Sequence, residues 1–161
     1  MLHEIARAGR ADISALQALV SAEFTQWGPE VVVTQKMINT FAMATGDHQW
    51  PHVDLERAAK GPFGATVAHG FLVLGLLYTL RSQDLGIEIE GSRQVVHAGG
   101  QYEFKWPVKV GAFVRSRHRL AAVEEQGNNV SITYAYEVRA SLKSGGAGRL
   151  AASGRSNLLY I

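Results

Sequence analysis

The chain predicts an α+β fold in which a curved antiparallel β-sheet wraps one long central helix. Three observations lead there. The stretch "HGFLVLGLLYTLR", residues 69–81, is apolar nearly all round a helix, which describes a helix buried on several sides. From about Gln94 onward the sequence reads as strands divided by clear turns, with helix-like segments confined to the first half. "NVSITYAYEVRASLK", residues 129–143, alternates Val130, Ile132, Tyr134, Tyr136 and Val138 against Ser131, Thr133, Glu137 and Arg139, the two-residue period of a strand with one face turned inward.

Taken in order, "ISALQALV" sets Ile13, Leu16 and Leu19 or Val20 at helical spacing, and residues 1–28 are expected to form a helical extension ended by Gly28-Pro29. "EVVVTQ" predicts a short strand. Thr34 caps a helix through "QKMINTFAMAT", with Met37, Phe41 and Ala44 on one face, and Gly46 stops it. Asp54 is the N-cap for "LERAAK", which Gly61-Pro62 closes. In the second half, "YEFKWPV" places Tyr102, Phe104 and Trp106 on one strand face, "EQGNN" and "KSGGAG" are hairpin turns, and "RLAASGRSNLLYI" is the last strand. No repeat or long linker divides the chain, so residues 1–161 are expected to form a single domain. Long strands with open edges and one incompletely covered face predict a homodimer or a higher oligomer.

Composition narrows the function. Hydrophobic residues at 47% and charged residues at 19% describe a soluble globule slightly poor in charge. Sixteen Lys and Arg against 14 Asp and Glu give a net charge of +2, with the basic residues scattered, which argues against nucleic-acid binding. The chain has no Cys, and this excludes disulfides, thiolate metal sites and Cys nucleophiles. The apolar run "GFLVLGLLYTL" has about half the ~20 residues needed to span a bilayer. "MLHEIARAGRAD" lacks the apolar run of a secretory signal, so a cytoplasmic protein with no membrane association is expected.

Asp47 and His52 lie in "GDHQWPHVD", five positions apart with Pro51 between them. Pro argues against a continuous helix and predicts a bent loop. Such a loop can turn a carboxylate and an imidazole toward one point, where together they orient and deprotonate a water molecule. The same residues also suit a structural pair, Asp47 in an Asx-turn after the Gly cap and His52 bonded to backbone. "FGATVAHGFLVLG" sends a Gly-containing loop into the start of the apolar helix. There Gly70 either lets a ligand oxygen approach free backbone amides or lets helix and sheet pack closely. An acid–base pair beside free amides suits chemistry next to a carbonyl.

"FAMATGDHQWPHVDLERAAKGPFGATVAHGFLVLGLL", followed by "FKWPVKVG" at 104–111, resembles the signature of the MaoC-like dehydratases, a family that includes (R)-specific enoyl-CoA hydratases and NodN-like proteins. The likeness covers roughly residues 30–115. It implies a hotdog fold with an active site at a dimer interface, Asp47 and His52 as the catalytic pair, and Gly70 as the residue whose amide holds a thioester carbonyl. The implied reaction is hydration of a trans-2-enoyl-CoA to an (R)-3-hydroxyacyl-CoA or its reversal, with the acyl-CoA thioester as substrate and no further cofactor. Thioester hydrolysis and non-catalytic acyl-thioester binding are the alternatives on the same fold. The chain departs from the family at Gln49-Trp50, which replaces Asn-Pro with Pro51 one position late, at Val96-His97-Ala98, and in the central helix. Where relatives carry a small polar residue to hold the pair, Gly75 and Tyr78 stand here.

The substrate-pocket candidates are Trp50, Phe63, His69 and Tyr78. Trp50 either walls an acyl pocket or packs the loop, and His69 suits a helix-start residue bonded to backbone better than a catalyst. His48 and His52 with Asp47 have a metal-like spacing that works only on a helix, which Pro51 opposes, so no metal site is expected. Arg115, Arg117 and Arg119 share one strand face, suited to solvent or to the phosphates of coenzyme A.

Overall fold

Alternation in the second half builds the frame. In a computed structural model of the chain, residues 6–9, 13–80, 87–90 and 93–161 are described, the segments 6–9 and 87–90 by their backbone alone. The elements are β1 (Ala6–Gly9), α1 (Ser14–Gln17), β2 (Val31–Val32), α2 (Gln35–Thr45), α3 (Trp50–Val53), α4 (Leu55–Ala59), α5 (Gly70–Gly75), α6 (Leu77–Leu80), β3 (Ile87–Glu90), β4 (Val95–Phe104), β5 (Phe113–Gln126), β6 (Asn129–Ser141) and β7 (Arg149–Tyr160). β2, β5, β6, β7 and β4 form, in that order, an antiparallel sheet curled over α5 and α6, the expected hotdog arrangement. β1 and β3 add a parallel pair, which the sequence reading did not anticipate.

The predicted alternation is the observed one. Val130, Ile132, Tyr134, Tyr136 and Val138 are all buried, and Val114, Ser116, His118 and Leu120 of β5 face the same way. Val73 of α5 and Leu80 of α6 pack with Val114, Val138 and Ala152. The Ser116 hydroxyl donates to the Leu80 carbonyl at 2.9 Å, tying the end of α6 to the sheet. At the other end of the sheet, Ile13 at the cap of α1 and Leu16 within it meet Leu120, Ile132 and Leu158. Full burial of side chains such as Leu16 and Ile132 contributes about 1.5–3 kcal/mol each.

Several expectations need correction. Helix in the first 28 residues is limited to the single turn of α1 among the described residues; Leu19 and Val20 are exposed. Residues 1–5 and 10–12, and the predicted helix end at Arg81, lie outside the described residues. Helix α2 fully buries Ile38 and Ala42, whereas on the expected face Met37 and Phe41 are half-buried and Ala44 is exposed. The central helix is irregular at Leu76 and is not covered all round. Phe71 and Tyr78 are 57% and 71% exposed. In the "YEFKWPV" stretch the strand ends at Phe104, short of Trp106.

Part of the outer face of the sheet, over β5 and β6, is also covered. Residues 21–28 run along the edge of β5, where Ser21, Thr25 and Gly28 donate backbone bonds to Leu120, His118 and Ser116. This closes an edge that would otherwise expose unpaired backbone groups. Phe24 and Trp27 of this strap lie over the arginine row: Arg117 sits 4.8 Å from the Phe24 ring and 4.9 Å from that of Trp27, with Arg115 and Arg139 also on Trp27. Arg117 pairs with Glu137, Arg115 donates to the Gly146 carbonyl and Arg119 to that of Ser21. The row is thus not a bare solvated face: each of the three guanidiniums lies against a ring of the strap and makes at least one hydrogen bond.

Candidate active site

Local caps deliver the pair. Thr34 accepts a bond from the Met37 amide to start α2, and Gly46, left-handed at φ 76°, ends it, so the chain turns sharply at Asp47. Pro51 occupies the first turn of α3, where no amide is needed, so His52 stands on a short helical turn and only Asp47 on a loop. The expectation of an unbroken bent loop is corrected to that extent. Asp54 then caps α4 by accepting from the Arg57 amide at 3.0 Å.

The structure brings Asp47, His52 and His69 together, with ligand-capable atoms of the three within 4.8 Å of one another. His52 Nδ1 is 2.7 Å from the Val67 carbonyl oxygen. A carbonyl only accepts, so Nδ1 carries the hydrogen in the neutral ring and the Nε2 lone pair is left for a ligand. His69 is buried, and its Nε2 donates to the Asp47 carbonyl at 3.0 Å, while the Asp47 carboxylate lies 3.9 Å away. The His69 ring stacks on that of His52 at 3.8 Å and leans on Phe41 at 4.9 Å. His69 therefore touches both members of the pair and bonds backbone, as a helix-start residue was expected to do. A long contact of 3.4 Å from the Gln49 amide to Asp47 Oδ1 retains part of the Asx-turn as well.

These three residues suit protons better than a cation. Two of the four imidazole nitrogens are spent on carbonyls. The rings lie within 25° of parallel, so their in-plane lone pairs run side by side instead of converging as tetrahedral ligation requires.

Gly70 opens α5. A Cβ there would fall 2.5 Å from the Phe104 ring, so close packing explains this glycine, and its amide is also left without an acceptor among the described residues. Gly70, Phe71 and Phe104 help to line a cavity of about 370 Å³. Phe71 also borders a larger apolar cavity of about 500 Å³, walled by Leu74, Tyr78, Tyr102, Tyr134 and Leu158 among others. Tyr78 and Gly75 thus face that cavity and not the Asp47–His52 pair. Trp50 does not line either cavity; it packs against Gly61 with Arg57 4.6 Å above its ring. Phe63 is half-buried in the turn between Gly61 and Gly64. His48 is exposed. Burial, with Tyr102 nearby, pushes the Tyr136 phenol above 10.0.

The sequence reading overlooked Gln35, which donates to the His52 carbonyl, and Thr66, whose hydroxyl donates to Gln35. Their only sequence signal was polar character beside apolar runs.

Residues 21–141 match the model of the MaoC like domain. The chain is 44% identical over 117 residues to 3-hydroxyacyl-thioester dehydratase Z of Mycobacterium tuberculosis, an alignment covering 70% of this chain and 76% of that protein. It is 33% identical over 146 residues to nodulation protein N of Rhizobium meliloti, covering 89% and 84%. The fold is shared with the monoamine oxidase regulatory protein from Archaeoglobus fulgius, with a TM-score of 0.73 at 24% identity over 97% of each chain, and with the (R)-hydratase from A. caviae, with a TM-score of 0.65 at 23% identity over 86% and 96%. Motif order, sheet topology and these likenesses agree, and the chain belongs to the MaoC-like family.

Proposed function

We propose that the protein is a hydro-lyase acting on acyl thioesters, adding water to a trans-2-enoyl-CoA or removing it from the (R)-3-hydroxyacyl-CoA. The observation that carries this reading is His52, whose ring is held in one tautomer by the Val67 carbonyl with Nε2 left as a proton acceptor, in a cluster where ligand-capable atoms of Asp47, His52 and His69 lie within 4.8 Å of one another. In hydration, Nε2 takes a proton from water as its oxygen bonds to the β-carbon. Asp47 orients the same water and helps deliver a proton to the α-carbon, so that one H and one OH are added overall. The free Gly70 amide holds the thioester oxygen as negative charge develops there, an interaction worth ~3 kcal/mol in other enzymes. The apolar cavity beside Phe71 and Tyr78 would accept the acyl chain.

A homodimer belongs to the same proposal. Among the described residues β4 is an edge strand with no further strand paired to it, and Phe71, Tyr102 and Phe104 form an exposed aromatic cluster beside it. The mass of the purified protein by light scattering tests this.

The activity test follows the loss of enoyl-thioester ultraviolet absorbance over a chain-length series. Asp47→Asn and His52→Ala should fold and lose activity at least about 100-fold. Near-full activity in either refutes the assignment, and free thiol released from saturated acyl-CoA marks hydrolysis instead.

A further inference from the structure

Helix α3 is a single turn, too short to hold its own shape, so the place of His52 is decided by what grips that turn from outside. Three bonds do so. The Val67 amide donates to the Pro51 carbonyl at 2.9 Å, His52 Nδ1 donates to the Val67 carbonyl, and Gln35 Nε2 donates to the His52 carbonyl at 2.8 Å. The His52 carbonyl only accepts, which fixes the Gln35 amide with nitrogen toward α3 and oxygen away from it. That oxygen accepts from the Thr66 hydroxyl at 2.5 Å, and Thr66 is buried. The second hydrogen on Gln35 Nε2 goes to Asn39 at 2.9 Å. Residues 66 and 67 therefore grip His52 twice, at its ring directly and at its carbonyl through Gln35.

Gln35 is not needed to start α2, because Thr34 already caps that helix. Its side chain instead crosses to a residue 17 positions away. We infer that Thr66 and Gln35 form a relay that positions His52 for proton transfer. The inference rests on His52 being the base, as proposed above. A base displaced by a fraction of an ångström from its water loses rate without losing substrate affinity, so the relay acts on kcat.

Gln35→Glu keeps the shape and puts an acceptor against the His52 carbonyl. Thr66→Val keeps the shape and removes the hydroxyl. Each should unfold near the wild-type temperature, hold KM within about threefold, and lower kcat about tenfold or more. The double variant should be no worse than the poorer single one, since both break one chain of bonds. Thr66→Ser, which keeps the hydroxyl, should restore kcat, and if Thr66→Val does not fold, Gln35→Glu and Thr66→Ser decide alone. Wild-type kcat in Gln35→Glu while His52→Ala is inactive overturns the relay but leaves His52 as the base. Losses that multiply in the double variant also overturn it, because they mark two independent contributions to the rate instead of one chain of bonds. An active His52→Ala overturns the base assignment and the relay with it.

Discussion

Replacing Gly70 by Ala should lower stability in the native protein and raise it in one lacking the Phe104 ring. The added Cβ would stand 2.5 Å from Phe104 Cζ and 2.8 Å from Cε1 and Cε2. Ordinary carbon contacts begin near 3.5 Å, so the ring must move by about 1 Å. Phe104 is 46% exposed on the edge strand and has room to swing outward. Overpacking of this kind costs about 1–3 kcal/mol. Against it stands the entropy that Ala removes from the unfolded chain, about 0.4–1 kcal/mol, which applies because Gly70 is not among the positive-φ glycines. The net loss runs from near zero to about 2.6 kcal/mol, or up to roughly 10 °C in Tm for a chain of this length. With Phe104→Ala the obstacle is gone and only the gain remains, about 1–4 °C above Phe104→Ala alone. Thermal unfolding of the four proteins, followed by circular dichroism, measures both differences. A shift of the same sign and size in both backgrounds would refute the packing account of Gly70. Since Ala keeps the Gly70 amide hydrogen, a hydration rate that follows the ring and not the Cβ would separate packing from chemistry in the same set.

Three further outcomes follow from named contacts. His69→Gln keeps a donor at about the reach of Nε2 and should retain most of kcat, whereas His69→Phe keeps the stack on His52, loses the bond to the Asp47 carbonyl and should lose about tenfold; equal rates would sink this distinction. Trp27→Ala removes the ring shared by Arg115, Arg117 and Arg139, and at about 0.5–1 kcal/mol per cation–π contact should cost about 1.5–3 kcal/mol in urea unfolding; an unchanged midpoint would mean the strap is not stabilising. Tyr136 is harder to ionise in the folded protein than in the unfolded chain, so its contribution is fully present below pH 10.0 and is lost as pH rises through the raised folded value. Tyr136→Phe should flatten that alkaline decline, and an identical decline in the variant would assign it elsewhere.

The parts legible in the sequence were those decided over a few residues. Thr34, Gly46 and Asp54 act on amides or turns within four positions, and the caps appear where expected. The alternation of β6 follows from pleat geometry, so its inward residues could be named without knowing their partners. Asp47 and His52 were visible as a pair because one short turn separates them. What escaped depended on distant segments becoming neighbours. Arg117 could not be assigned until residues 24 and 27 lay across it, and the parallel pairing of β1 with β3 joins stretches some eighty positions apart. Trp50 had two possible environments, and the nearby Gly61 backbone provided one of them.

By itself, the order of residues determined the fold class, the direction of the β6 faces and the presence of an Asp–His pair near a glycine-opened helix. Only the tertiary structure decided which nitrogen of His52 is left free, that His69 touches both members of the pair, and that Gln35 reaches the His52 carbonyl. The physical reason is range: caps and pleats are settled by backbone geometry along a single segment, whereas a tautomer or a relay is settled by which carbonyl another segment places within hydrogen-bond reach.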